Sequence, residues 1–229
     1  MASTTKTPAN GKTITKVEKP AAIEDIREIA IPDLEMRQAL LQVIGISGLI
    51  QHQWSKKALN QLEGKQTGKA LPQKTARVPD EEWRSAAYVI PGKDDLPEWE
   101  PGKYFHPAAS FKHAFLYGVS QLDDKRIPKT KATGWLFIDR DPVLQFESVI
   151  LRTDIGRNPT QPVYRPEFVD WSCELHVSFN ARTISLEQVV AILDLGLFCG
   201  GIGEWRPSAP KNKSGSHGRA RVQGVEELS

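Results

Sequence analysis

The chain has 229 residues, 39% of them apolar and 25% charged, which is enough for one well-buried core and excludes both disorder throughout and two full domains. Thirty Lys and Arg stand against 28 Asp and Glu, a net charge of +2, so no global cationic field announces nucleic acid or an anionic membrane, and such a partner would need a local patch. Two cysteines, Cys173 and Cys199, lie far apart in apolar surroundings without Cys-x-x-Cys spacing, which argues against a metal knuckle or a disulfide framework and fits a reducing cytosol.

Residues 1–30 are rich in Thr, Lys, Ala and Pro, carry no apolar core of a secretion signal, and are expected to be a flexible tail. Residues 36–50, MRQALLQVIGISGLI, form a dense β-branched apolar run, a buried strand ending or bulging near Gly45 and Gly48, or else a short helix. A short amphipathic helix is expected from Ser55, its N-cap, to Leu62. The following Gly64–Lys69 has three residues between its glycines where a phosphate-binding loop needs four, and its lysine is followed by Ala70, so it is rejected.

DEEWRSAAYV reads as a second helix capped by Asp80, and the proline-rich stretch from Pro91 to Pro107 as a loop. In AASFKHAFLYGVSQL the residues Ala108, Phe111, Phe115 and Val119 fall near one helical face, with Lys112 and His113 nearer another. GWLFI and PVLQFESVILR read as strands separated by a DRDP turn. FVDWSCELHVSFN alternates as a single strand, with Val169, Trp171, Cys173, Leu175, Val177 and Phe179 on one face. SLEQVVAILDLGLF is an apolar helix capped by Ser185 or Thr183 and ended by Gly196 and the pair Gly200, Gly201; GRARVQGV closes the chain as a strand.

No internal repeat is present and no run approaches 18 apolar residues, so no membrane span is expected. The fold class that follows is α+β: a ferredoxin-like or RNA-recognition-like antiparallel sheet with helices on one face, in one domain over residues 31–229, with a helical and loop insertion at about residues 52–105.

The stretch GGIGEWRPSAPKNKSGSHGRARV concentrates Gly200, Gly201, Gly203, Gly215 and Gly218 with Arg206, Lys211, Lys213, Arg219 and Arg221. Glycines let backbone approach a ligand and form anion-binding nests, the cations neutralise phosphate, and Trp205 offers a face for a base. The alternative is that Trp205 packs in the core, Arg206 pairs with Glu204, and the lysines only solubilise a loop. A dinucleotide fold is disfavoured, since these glycines follow a helix rather than a strand.

From Lys103 to Arg165 ten Lys and Arg face six acids, 10 − 6 = 4, and Lys129 and Lys131 sit in a basic loop that would close over a strand. Tyr164 beside Arg165, with Phe168, supplies aromatic faces for stacking on an open sheet, whereas Trp171 and Phe179 read as core.

Catalysis is not expected. His106 and His113 are seven residues apart, roughly 10 Å along the axis if both are helical, too far for paired metal ligation. Asp139 and Asp141 are explained by a turn, Cys173 with His176 reads as structural cysteine, and no hydrolase, metalloprotease or deaminase signature appears.

GISGLI after an apolar strand, HPAASFKHAF in the middle, and the glycine stretch at the end together resemble the RAMP superfamily, which includes backbone subunits of CRISPR effector complexes. There a P-G-S-S-x-K-G turn opens the first helix and a glycine-rich loop precedes the closing strand of a modified RNA-recognition fold; here the turn carries Ala108 and Ala109, and SAPKNKS widens the loop. VYRPEFVDWSCELHVSFN with GIGEWRPSAP…GRARV is similar to a family of uncharacterised proteins common in tailed-phage genomes, over roughly residues 37–225.

The resemblance implies a phage-type, non-enzymatic protein of the host cytoplasm that binds single-stranded DNA or RNA with little sequence preference and assembles along it. No cofactor or metal is called for. A protein acting only through protein contacts is the rival, and a metal-dependent nuclease ranks behind both.

Overall fold

The computed structural model describes residues 34–68, 76–122, 129–155, 162–210 and 214–228, with the side chains of 56–58, 154 and 155 left out. Residues 34–229 cluster as one compact unit. The expected N-terminal tail, residues 1–30, lies outside the described residues, as do Lys211 and Lys213.

Two antiparallel sheets are present. Apolar alternation builds β1 (Met36–Gly45), whose Ala39, Leu41 and Val43 are wholly buried. In the first sheet β1 lies between β6 (Ser172–Asn180) and β7 (Ala220–Leu228), with β3 (Leu136–Ile138) beyond β6. Every pairing is antiparallel, as in Leu41 opposite Leu175 on one side and Val225 on the other.

α3 (Ala108–Gln121) follows β1, and α5 (Leu186–Cys199) joins β6 to β7. Numbering only the strands of this sheet along the chain, the spatial order is 2-3-1-4 with a helix after the first and third, which is the ferredoxin-like βαββαβ arrangement that the patterning predicts. The class is therefore α+β.

α3 and α5 approach so closely that a methyl group on Gly118 would meet the Ile192 carbonyl oxygen at 2.1 Å, and one on Gly196 the Ala114 carbonyl oxygen at 1.9 Å. Gly196 is thus an interior contact residue of α5 rather than its stop signal. Ser185 is the N-cap: its hydroxyl accepts from the Gln188 N–H while the Gln188 side chain accepts from the Ser185 N–H. Gly200 is the C-cap.

The predicted strand 168–180 is two strands in different sheets. Asp170, at φ 50°, breaks the run, so Val169 ends β5 (Pro162–Val169) and Trp171 starts the approach to β6. β5 pairs with β2 (Leu49–Ile50) and β4 (Ser148–Ile155) in a second, three-stranded sheet. The predicted strand 142–152 likewise begins only at Ser148; before it, Val143 and Gln145 make isolated bridges to Phe105 and Ser172.

α1 spans Lys56–Thr67, ending five residues beyond the expected Leu62 and containing Gly64. α2 runs Pro79–Ala86 with Val78 as N-cap and Pro79 at its first turn, so Asp80 lies within the helix rather than capping it. α4, Lys129–Ala132, is a short helix in the expected basic loop.

The 91–107 segment is looped, as expected, and is pinned internally. Buried Lys103 donates from Nζ to the carbonyls of Asp94 and Leu96, and Trp99 stacks on Tyr104 with centroids 5.4 Å apart.

Candidate nucleic-acid interface

The described parts of the glycine loop, residues 200–210 and 214–218, bond to each other and to the chain at Gly48 and Ile50. Ile202 N–H donates to the Gly218 carbonyl, Gly218 N–H to that of Gly48, and Glu204 N–H to that of Ile50. Gly218 holds φ +66°, and a methyl group there would sit 1.8 Å from the Ile202 carbonyl oxygen, so only glycine fits this crossing. Gly200, Gly201, Gly203 and Gly215 are similarly crowded, against Tyr117, Pro207, Ile50 and Trp205.

Between this loop and the start of α3 lies an open cleft of about 420 Å³. Gly201, Gly203, Glu204, Trp205 and Arg206 form one wall, Ala109, Ser110 and His113 of α3 another, and His52, Tyr88 and His106 complete it. Trp205 is half-buried at φ 56°, with its ring edge-on to His217 at 6.0 Å, and it is not sunk in the core. Arg206 donates from Nη1 to the Gly203 carbonyl and from Nε to the Ser208 hydroxyl, and makes no ion pair among the described residues.

Glu204 pairs instead with Arg165, Nε to Oε2 at 2.6 Å, and with His52 at 3.3 Å. Burial pushes its carboxyl up, but the hydrogen bond from His52 and the charge and hydrogen bond of Arg165 outweigh that and hold it at about 2. Burial, reinforced by the Arg206 charge, drives His106 down to about 3; partial burial and the charges of Arg206 and Lys129 lower His113 as well. Lys129, exposed on α4, therefore adds to the positive potential of this cleft.

The other predicted residues scatter. Lys131 is exposed on α4. Lys112 directs its ammonium at the carbonyls of Thr133 and Leu136, tying α3 to β3, and burial lowers its pKa. Arg219 lies with its guanidinium 5.1 Å from the Phe198 ring centroid. Arg221 is exposed opposite Ile44, on the sheet face away from the helices, and has no partner among the described residues.

Tyr164 is half-buried edge-on to Trp83 at 5.3 Å, and Phe168 is fully buried, so neither lies on the open face of the first sheet. Of the seven described Lys and Arg between residues 103 and 165, five are engaged by other groups of the fold. Lys103 and Lys112 hold carbonyls, Arg165 holds Glu204, Arg152 holds buried Glu167, and Arg140 contacts the His176 ring.

The sequence did not reveal the convergence of His52, His106 and His113, because these histidines meet only through long-range packing. Asp141 also has a task that spacing conceals: its carboxylate accepts from the Ala108 N–H and caps α3. Asp139 accepts from Ser178, and Cys173 points into the core while His176 takes the opposite face, so neither the Asp pair nor the Cys–His pair forms a site. Among the described residues no cluster of His, Cys, Asp and Glu could hold a metal ion, and no helix is long and apolar enough to cross a membrane.

No protein-family model matches the sequence, and no curated protein does. Among solved structures the chain is similar to Cmr6 from Pyrococcus furiosus, at 10% identity over 83% of this chain and 100% of the other, with a TM-score of 0.31. A likeness at that score carries no argument about function.

Proposed function

We propose that this protein binds single-stranded nucleic acid, DNA or RNA, with little sequence preference, along the glycine loop and its cleft, and that it does so without cleaving the strand. The observation that carries the reading is the cleft itself. Trp205, Tyr88 and Arg206 all line it, Arg206 has no ion-pair partner among the described residues, and the charge of Lys129 on neighbouring α4 contributes to lowering the pKa of His113. Aromatic faces accept bases of any sequence and cations displace counterions from phosphate, so affinity falls steeply as salt rises. Arg219 and Arg221, which follow the loop in the chain, belong to the same reading, as does assembly of several copies along one strand.

Fluorescence anisotropy with a labelled thirty-base oligonucleotide at two salt concentrations tests it. The Arg219→Ala, Arg221→Ala double variant is expected to bind more weakly with a shallower salt dependence; unchanged behaviour in both respects removes these two arginines from the site. The oligonucleotide is expected to stay intact when magnesium or manganese is added.

A further inference from the structure

His106 is 2% exposed, and its Nε2 has no hydrogen-bond partner among the described residues. Its tautomer follows from its neighbour Gln51, which is fully buried. The Gln51 Oε1 accepts from the Tyr88 N–H at 2.8 Å, which turns Nε2 of the amide toward the Phe105 carbonyl at 2.7 Å and the His106 Nδ1 at 3.4 Å. Nδ1 is therefore the acceptor, and the neutral ring carries its proton on Nε2. A buried N–H donor left without an acceptor is costly and uncommon, and His106 is one of the residues that line the cleft.

The groups around it ask for the same kind of ligand. The first N–H of α3, from Ala108, is taken by Asp141, and the Ser110 N–H turns to the Pro107 carbonyl. The Ala109 N–H and the Ser110 hydroxyl remain without partners among the described residues; both residues line the cleft, at the N-terminus of a fourteen-residue helix whose first N–H Asp141 already caps. Across from them, Arg206 keeps Nη2 unbonded among the described residues. The carboxylate in the cleft, Glu204, is already neutralised by Arg165.

We infer that the floor of this cleft binds a phosphomonoester, the phosphorylated end of a strand, with His106 Nε2–H, the Ala109 N–H and the Arg206 guanidinium donating to its free oxygens. This rests on the nucleic-acid reading and sharpens it. A backbone phosphodiester is flanked by sugars on both sides, whereas a monoester presents three unflanked oxygens on a single tether and reaches a donor shut off from bulk water. The volume of about 420 Å³ accommodates a nucleotide rather than a longer segment.

The test uses the full chain and internally labelled thirty-base oligonucleotides carrying a 5′-phosphate, a 3′-phosphate, or hydroxyls at both ends, together with adenosine monophosphate as a free monoester. A phosphorylated end is expected to bind about tenfold tighter than a hydroxyl end. That ratio is expected to fall to about one in His106→Phe and in Arg206→Gln, the second serving if the first does not fold. Equal affinity for all three ends, with measurable strand binding, overturns this inference and leaves the proposed function standing. Binding of the free monoester, lost in either variant, without strand binding supports the pocket and sinks the broader reading. A preference that survives both substitutions moves the site elsewhere, and failure of every probe to bind overturns both.

Discussion

Replacing Gly218 with alanine tests the claim that the glycine loop is held by a backbone crossing that tolerates no side chain. The residue sits at φ +66°, for which a Cβ costs about 1–2 kcal/mol. The added carbon would also lie 1.8 Å from the Ile202 carbonyl oxygen, a backbone atom that cannot swing aside. Relief requires the chain to separate, at the expense of the Ile202 N–H bond to Gly218 and the Gly218 N–H bond to Gly48, each about 1 kcal/mol.

The expected loss is therefore about 3–4 kcal/mol. Gly92 is the internal control: it too has positive φ, +81°, yet a methyl group added there would have nothing within 4 Å, so Gly92→Ala should lose only about 1 kcal/mol. Urea unfolding read by tryptophan fluorescence measures both, and at a slope of about 2 kcal/mol per molar the midpoints should fall by about 1.5–2 M and 0.5 M. Equal midpoint shifts for the two variants would refute the reasoning, because the difference between them isolates the steric term.

Other outcomes follow from buried charge. His106 is neutral in the fold with its pKa near 3, well below the ordinary value of 6.5, so the unfolded chain takes up a proton first as the pH drops; its contribution is whole above about 6.5 and is lost progressively as the pH falls toward 3. Wild-type stability should decline from pH 7 to pH 4, and His106→Phe should flatten that slope; an unaltered slope would show that the ring is protonated in the native state. Arg152→Ala strands the Glu167 carboxylate, only 5% exposed, beside His217, and should cost about 2–4 kcal/mol. Adding Glu167→Gln should recover part of that, a coupling that a double-mutant cycle measures and that strict additivity would contradict. Gly118→Val should unfold the protein outright, by forcing α3 away from the Ile192 backbone, as seen by loss of the cooperative thermal transition.

Much of the scaffold was readable because its apolar residues recur at the period of their element. α3 and α5 show one buried stripe each, and the alternation Trp171, Cys173, Leu175, Val177, Phe179 marks the core face of β6. The break at Asp170 was hidden by coincidence: Val169 stays in phase with Trp171 across the turn, so the pattern runs on where the chain changes sheets. α4 is a single turn, too short to show a period.

For the site, composition draws attention to the glycine loop and Arg206 but does not show where the cations around Arg165 are spent. A sequence shows how many charges a segment carries and hides which carboxylate each one meets. Arg165 finds Glu204 across 39 positions, and Lys103 meets carbonyls in a loop whose path no local pattern fixes. The convergence of His52 with His106 and His113 was hidden for the same reason, since they approach one cleft from separate parts of the chain and no short spacing connects them.

The central position of β1 also dictates the order of assembly. Both of its neighbours lie far along the chain, with Met36 opposite Asn180 and Gln38 opposite Leu228. As the polypeptide leaves the ribosome, Ala39, Leu41 and Val43 must wait without a neighbouring strand until more than a hundred further residues have been made, and one flank stays bare until the last nine-residue strand emerges. Such delayed closure makes maturation slow and the nascent chain prone to sticking to others, so yield in the cell should respond to temperature and chaperone supply more than equilibrium stability alone would suggest.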